Sequence, residues 1–128
     1  MILLIDTSTP TCRLTFIEGD SRVDKEWEAN RELAKGLLGF LQSNLETLNK
    51  TWGDLSGIVA FRGPGSFTGL RIGLTVVNTI TEAQQIPIVG TIGEGWQEAG
   101  LARLEAGEND RIVLPEYGAE ANITTPRK

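Results

Sequence analysis

The sequence predicts an α/β domain with a mixed five-stranded sheet and helices on both faces. Three short apolar segments, at residues 2–5, 57–61 and 86–89, have the composition of strands that are buried on both faces of a sheet. Two longer segments, at residues 31–49 and 67–84, carry apolar residues at the spacing of amphipathic helices. Buried strands that alternate with helices in this way are typical of α/β sheets.

Between the first strand and the first helix, the sequence predicts a hairpin of two further strands. Cys12, Leu14 and Phe16 alternate with other residues and are expected to share one face. A short polar turn then lets residues 22–29 return as an antiparallel partner. Asn30 is the expected N-cap of the helix that follows.

After the last buried strand, the sequence predicts a shorter helix at residues 94–105, and residues 111–114 can extend beyond it. The resulting order of strands and helices is that of the ribonuclease H-like fold, which actin-like ATPases share. We therefore expect one ribonuclease H-like domain at residues 1–107 and a C-terminal extension at residues 108–128.

Composition excludes several classes of function. The chain has 128 residues, a formal net charge of −5 and no histidine, so Ser-His-Asp and Cys-His nucleophiles and His-ligated metal sites are excluded. The acidic balance argues against a chain that binds nucleic acid mainly by itself, because phosphate contacts need clustered Lys and Arg. The single Cys12, the acid that directly follows the apolar start and the lack of a run of about 20 apolar residues favour a cytoplasmic protein without a membrane span.

A polar turn follows the first strand at Asp6, Thr7, Ser8 and Thr9. Its hydroxyls and backbone N–H groups could cradle a phosphate, with Asp6 near a magnesium ion. The same four residues also suit an Asx or Ser/Thr turn that closes a hairpin. The residues alone leave both interpretations open.

The most informative segment is the glycine-rich loop that leads into the second long helix. Its glycines permit a sharp turn from strand to helix, Ser66 can cap the helix, and such a helix start is a natural anion site. It is not a P-loop, because the Gly-Lys-Ser/Thr ending is absent. The pattern predicts a loop that a ligand or another chain approaches closely, formed by Arg62, Gly63, Pro64, Gly65, Ser66, Thr68, Gly69 and Arg71.

The fold alone would also allow a nuclease or a small-molecule kinase, and the sequence argues against both. Nucleases of this fold hold two metal ions with clustered carboxylates, whereas the strand at residues 57–61 ends without an acid. On the first helix, Glu32 and Glu46 lie off the apolar stripe. A kinase of this type closes a nucleotide cleft between two domains, which a single domain cannot do.

One known family shares the order and spacing of three segments of this chain: ILLIDTST at residues 2–9, RGPGSFTGLRIG at residues 62–73 and IPIVG at residues 86–90. Together they resemble the TsaB (YeaZ) family of bacterial tRNA-modification proteins, over residues 1–93. The central segment matches the family's signature almost residue for residue. Members of this family carry a second domain of the same type, so the resemblance implies a shortened member.

The resemblance implies a fold, a role and partners. TsaB-like proteins have the actin-like ATPase fold and are non-catalytic subunits of the complex that makes threonylcarbamoyladenosine next to the anticodon. They pair with the catalytic subunit TsaD through N-terminal-domain helices, and an ATPase subunit, TsaE, joins them. By this resemblance the chain would bind no cofactor alone, would meet ATP and Mg only within a complex, and would contact tRNA only indirectly. Independently of the resemblance, the exposed helices would also allow a homodimer when the chain is alone.

We therefore expect a non-catalytic subunit that binds a TsaD-type subunit through its two long helices. Small residues form one face of the first helix, and apolar residues on the second cover more than the stripe that one sheet requires. The expected partner-binding residues are Leu33, Gly36, Leu37, Gly39, Phe40, Ser43, Leu70, Gly73, Val77 and Ile80. The alternative function is a small nucleotide- or phosphate-binding domain of the actin-like ATPase type that uses residues 6–9.

Overall fold

The computed structural model describes residues 1–116, which form a single sheet packed between α-helices. The strands are β1 (Ile2–Asp6), β2 (Thr11–Glu18), β3 (Ser21–Glu28), β4 (Gly57–Phe61) and β5 (Ile88–Thr91). The helices are α1 (Leu33–Thr47), α2 (Phe67–Gln84) and α3 (Trp96–Glu105), with 3-10 turns at Asn30–Glu32 and Trp52–Asp54. None of the helices in the described residues is long and apolar enough to cross a membrane.

The sheet is mixed, with strand order β3-β2-β1-β4-β5. β1 pairs antiparallel with β2 and parallel with β4, and β5 extends the parallel part beyond β4. The predicted five-stranded mixed sheet is confirmed. Because β1 and β4 are parallel neighbours, their carboxyl ends meet at one edge of the sheet, where the polar turn and the glycine-rich loop both begin.

Helices cover both faces of the sheet, as predicted. On one face, Cys12, Leu14 and Phe16 join a core cluster that α1 and α2 cover, which confirms the alternation expected for β2. On the other face, a smaller cluster centred on Leu4, Val59 and Val89 packs against α3. The sheet is therefore buried most deeply at β1, β4 and β5, the strands that read as wholly apolar.

Asn30 does not cap α1, and this prediction was wrong. Its φ is 49°, in the left-handed region that Asn tolerates better than most residues, and the N-cap position belongs to Glu32, which makes no side-chain cap hydrogen bond. The backbone N–H groups of Ala29 and Asn30 instead both donate to the Pro10 carbonyl, at 3.0 and 3.1 Å. The residue that precedes β2 therefore fixes the turn into α1.

The first part of the expected C-terminal extension packs onto the domain. Val113 is only 3% exposed, and the Asn78 side chain of α2 donates to its carbonyl (3.0 Å) and accepts from its N–H (2.9 Å). Residues 111–114 form no strand. The boundary expected at residue 107 thus does not mark the end of the packed structure, and residues 117–128 lie outside the described part.

Asp110 anchors the same segment to the free edge of β5. Its carboxylate accepts hydrogen bonds from the Gly90 N–H (2.9 Å) and from the Arg103 guanidinium (2.5 Å). Partial burial disfavours the charged carboxylate, but these hydrogen bonds outweigh burial and hold the pKa of Asp110 below its usual value. The segment therefore covers edge groups of β5 that would otherwise need water.

Cys12 is an inert core thiol. It is 1% exposed, and burial, followed by the nearby charge of Asp6, raises its pKa to about 12. Because the thiolate is the reactive form, we expect the native chain to resist a disulfide reagent such as dithiobis-nitrobenzoate at mildly alkaline pH. In denaturant the reagent should titrate one thiol per chain. Rapid release of thionitrobenzoate from the native chain would contradict this burial.

A candidate docking groove between two helices

The polar turn after β1 is held together by its own side chains. Asp6 Oδ1 accepts from the Ser8 N–H at 2.8 Å, and the hydroxyl of Thr7 donates to the Gly69 carbonyl at 2.8 Å. Thr9 Oγ1 donates to the Thr11 carbonyl and accepts from the Thr11 N–H. These are the bonds of an Asx and Ser/Thr turn. Phosphate binding by this turn stays a prediction that would require these internal partners to be exchanged.

The glycine-rich loop packs directly onto this turn. The Ser66 N–H donates to the Ser8 carbonyl at 2.8 Å, and Ser66 Oγ accepts from the Gly69 N–H at 3.2 Å, so that the predicted N-cap of α2 is confirmed. A side chain at Gly69 or Gly73 would collide with Thr7. The glycine spacing therefore has a structural cause, since it lets α2 approach the end of β1 closely.

Two members of the loop face the C-terminal segment. The Nε of Arg62 donates to the Leu114 carbonyl at 2.9 Å, and its Nη2 lies 4.0 Å from the Glu116 carboxylate. Gly63, at φ 138°, brings its backbone against the Glu116 carbonyl. Gly65 packs on Ser8 in a similar way, and Pro64 lies between the two glycines. This part of the glycine-rich loop therefore makes contacts within the chain itself.

Six of the expected partner-binding residues are core residues, and the structure corrects their assignment. All six are less than 9% exposed, and among them Leu33 also lines the surface cavity beside residues 28–32: Leu33, Leu37, Leu70, Gly73, Val77 and Ile80. Leucine and valine at helical spacing are expected both for a core and for an interface. The periodic pattern alone could not separate the two.

The small-residue face of α1 is also occupied in part by the chain itself. A Cβ at Gly36 would lie 2.6 Å from the Trp27 ring of β3, and Phe40 packs on the same ring with centroids 5.2 Å apart. Gly36 therefore admits Trp27 rather than a partner helix. Gly39 has open space around its Cα, and Ser43 is exposed, so only these two small residues remain accessible.

The second apolar face of α2 is covered mainly inside the domain, contrary to the expectation. Ile72 and Val76 are half-buried beside the core cluster that includes α1. On the opposite flank, Asn78 binds Val113. The wide apolar surface of α2 thus packs on the sheet, on α1 and on the C-terminal segment in turn.

What remains open is a surface that we call the α1–α2 groove. Its larger part has a volume of about 890 Å³ and lies between residues 28–33 and the N-terminus of α2. Its smaller part has a volume of about 370 Å³ and lies between Ala34 and the outer side of α2. Thr68 and Ile72 line both parts, so the two parts adjoin along α2.

Apolar and charged groups border this groove together. Leu38, one helical turn beyond Ala34, is 53% exposed. Glu28, Glu32 and Arg31 line the larger part, and Arg71 lines the smaller part with its guanidinium 5.3 Å from the centre of the Phe67 ring. Ala34 and Leu38 lie at the edge of the apolar stripe of the first predicted helix, and that position is the sequence signal that they face outward.

No group of three or more His, Cys, Asp or Glu side chains within residues 1–116 could hold a metal ion. The described polar residues of the turn and loop bind one another, and the groove combines apolar area with a few charges. This chemistry suits docking of another macromolecule more than a reaction on a small substrate.

Comparison with known proteins identifies the family. Residues 27–91 match the family model described as TsaD: tRNA N6-adenosine threonylcarbamoyltransferase, a match that spans both helices of the groove and the glycine-rich loop. The chain belongs to the TsaD family. Within it, the resemblance to TsaB is confirmed, because the tRNA threonylcarbamoyladenosine biosynthesis protein TsaB of Escherichia coli (strain K12) is 31% identical over 94% of this chain. TsaB of Bacillus subtilis (strain 168) is 33% identical over 68% of this chain.

Solved structures of TsaB-type proteins confirm the fold. YeaZ from Pseudomonas aeruginosa superposes with a TM-score of 0.69 at 28% identity, over 83% of this chain and 49% of that one. The ribonuclease H-like, actin-like arrangement expected from the order of elements is thereby confirmed. The chain spans 56% of the length of the Escherichia coli TsaB and 38% of the Bacillus subtilis TsaB.

Proposed function

We propose that this chain is a non-catalytic subunit of tRNA threonylcarbamoyladenosine biosynthesis that binds a TsaD-type catalytic subunit through the α1–α2 groove. Membership in the TsaD family and the names of the TsaB relatives support the pathway. The sequence contains no histidine, which is the commonest general base and metal ligand in active sites. This composition favours the non-catalytic role that we propose.

The groove is the observation that carries the proposed mode of action. It combines the accessible apolar side chain of Ile72 with the small residue Ala34, and Leu38 is exposed one helical turn beyond Ala34. Small residues on a helix let another helix approach closely, and apolar side chains between them supply the area that a stable complex must bury. In the proposed complex the partner's helices lie along α1 and α2. The chain thereby positions the catalytic subunit and contacts tRNA only indirectly.

The proposal includes the setting of the complex. In this proposal the chain acts in the cytoplasm, and a TsaE-type ATPase joins the assembly. ATP and Mg bind only within that assembly and not to this chain alone. Self-association through the same groove is the competing state when the catalytic subunit is missing. A titration with ATP-Mg checks the cofactor part: saturable binding to the isolated chain that is lost on Asp6→Ala would instead favour the nucleotide-binding alternative.

We expect Leu38→Glu to weaken binding of the TsaD-type subunit at least tenfold, because a carboxylate would replace an exposed apolar contact. Size-exclusion chromatography with light scattering measures the mass of the mixture, and titration calorimetry gives the affinity. Ile112→Glu is the matched control, since Ile112 is also a large apolar residue and is 65% exposed, but it lies in the C-terminal segment rather than on α1. Equal affinity of the two variants would count against docking at the groove, and failure of the native chain to bind would refute the proposed function.

A further inference from the structure

Three arginines of the described part have no salt bridge, Arg31, Arg71 and Arg111, and of these Arg71 lies over an aromatic ring. Arg13, Arg22, Arg62 and Arg103 each lie within 4.0 Å of a carboxylate. Within residues 1–116 the salt bridges leave Arg71 without a carboxylate, although it is exposed beside the smaller part of the groove. Its charge is therefore available at the surface where we propose that the partner docks.

The position of Arg71 is restricted before any partner binds. Its guanidinium carbon lies 5.3 Å from the centre of the Phe67 ring, within the range of a cation–π interaction. Both residues belong to the first turns of α2, and stacking on an aromatic face leaves the N–H donors in the guanidinium plane free to bind. A side chain held in this way loses less conformational entropy on binding than a free one.

The surroundings favour a protein carboxylate over a phosphate backbone. Ala34, Ile72 and Val76 give the smaller part of the groove an apolar area next to Arg71, and Thr68 and Thr75 add hydroxyl groups to its lining. A nucleic acid would leave this apolar area uncovered, and the chain's net charge of −5 would repel it. In the larger part of the groove, Glu28 and Glu32 outnumber Arg31. An amphipathic helix with an acidic residue at its edge would satisfy both the apolar lining and the unpaired cation.

We infer that Arg71 recognises a carboxylate on the docked helix of the TsaD-type partner, so that one charge-assisted pair at the end of the groove fixes the register of docking. This inference rests on the proposed function. Bidentate pairing of arginine with a carboxylate supplies direction as well as affinity, which the apolar lining cannot supply alone.

The test compares affinities of the native chain and three variants for the TsaD-type subunit at low and high salt. We expect Arg71→Gln to weaken binding about tenfold at low salt and to remove most of the salt dependence of the affinity. The affinity of Arg71→Lys should lie between those of the native chain and Arg71→Gln, because lysine keeps the charge and loses the paired donors. Arg111→Gln is the matched control, since Arg111 is an exposed arginine that also lacks a salt bridge in the described part and lies outside the groove lining. Thermal unfolding of each variant checks that the fold is intact.

Each outcome decides between the inference and its competitors. Native affinity in Arg71→Gln, or equal losses in Arg71→Gln and Arg111→Gln, overturns the inference and leaves the proposed function standing as long as the native chain binds. A loss of tRNA binding or of self-association without a loss of partner affinity also overturns it, in favour of a nucleic acid or a second copy. In the Arg71→Lys variant, a carbodiimide should couple the introduced amine to the partner's Asp or Glu, and mass spectrometry of the cross-linked peptide then identifies the carboxylate.

Discussion

Gly73→Ala is expected to lower the free energy of unfolding by about 2 kcal/mol, although alanine is the better helix former by about 1 kcal/mol. The methyl group would collide with Thr7, which is 3% exposed and anchored by its hydrogen bond to the Gly69 carbonyl. Neither the short Thr7 side chain nor the end of β1 can move away without breaking that bond. Urea unfolding followed by circular dichroism measures the change.

Gly39→Ala is the matched control and should have the opposite sign. Gly39 occupies the same position in α1 as Gly73 does in α2, the seventh residue of the helix, but its Cα faces open space. Only the helix propensity then changes, and we expect a gain of about 0.5–1 kcal/mol. A stabilised Gly73→Ala variant would show that the turn and α2 are packed less closely than described.

Val113→Ala is expected to lower the free energy of unfolding by about 2 kcal/mol, because two buried methyl groups are lost and a cavity remains beside α2. Val113 is 3% exposed, and Gly90 of β5 lies against its side chain. The result tests whether residues 108–116 belong to the cooperative unit rather than to a separate tail. The measurement is again the free energy of unfolding in urea.

The neighbouring Ile112→Ala variant controls for a general effect of changes in this segment. Ile112 is 65% exposed, so its truncation should change stability by no more than about 0.5 kcal/mol. If both variants were neutral, the segment would not contribute to the folded domain, and the boundary expected at residue 107 would be correct after all.

Sequence patterns predicted the strands well, because a strand that is buried on both faces of a sheet consists almost entirely of apolar residues. The wholly apolar segments became β1, β4 and β5, and the alternation around Leu14 became β2. The N-cap of α2 at Ser66 could also be predicted from the sequence, since its hydroxyl oxygen accepts a hydrogen bond from a backbone N–H only three residues later. These features depend on neighbours in sequence or on a single repeated pattern.

The docking residues could not be predicted in the same way, because periodicity reports an apolar face without saying what covers it. Val77 and Leu38 both lie on apolar faces, yet one is buried in the core and the other is half exposed. Gly36 was predicted to face a partner, because helical periodicity within α1 does not reveal that Trp27 of β3 lies against it. The packing of Val113 likewise depends on a hydrogen-bonding partner in α2 that is distant in sequence.

Hydrogen exchange of the chain with and without the TsaD-type subunit tests the central claim most directly. Docking at the groove predicts slower exchange in the peptides that cover α1 and the first half of α2, where Ala34, Leu38 and Ile72 lie, and unchanged exchange in α3 on the opposite face of the sheet. Protection confined to α3, or a stable complex with no protection in α1 and α2, would contradict the account.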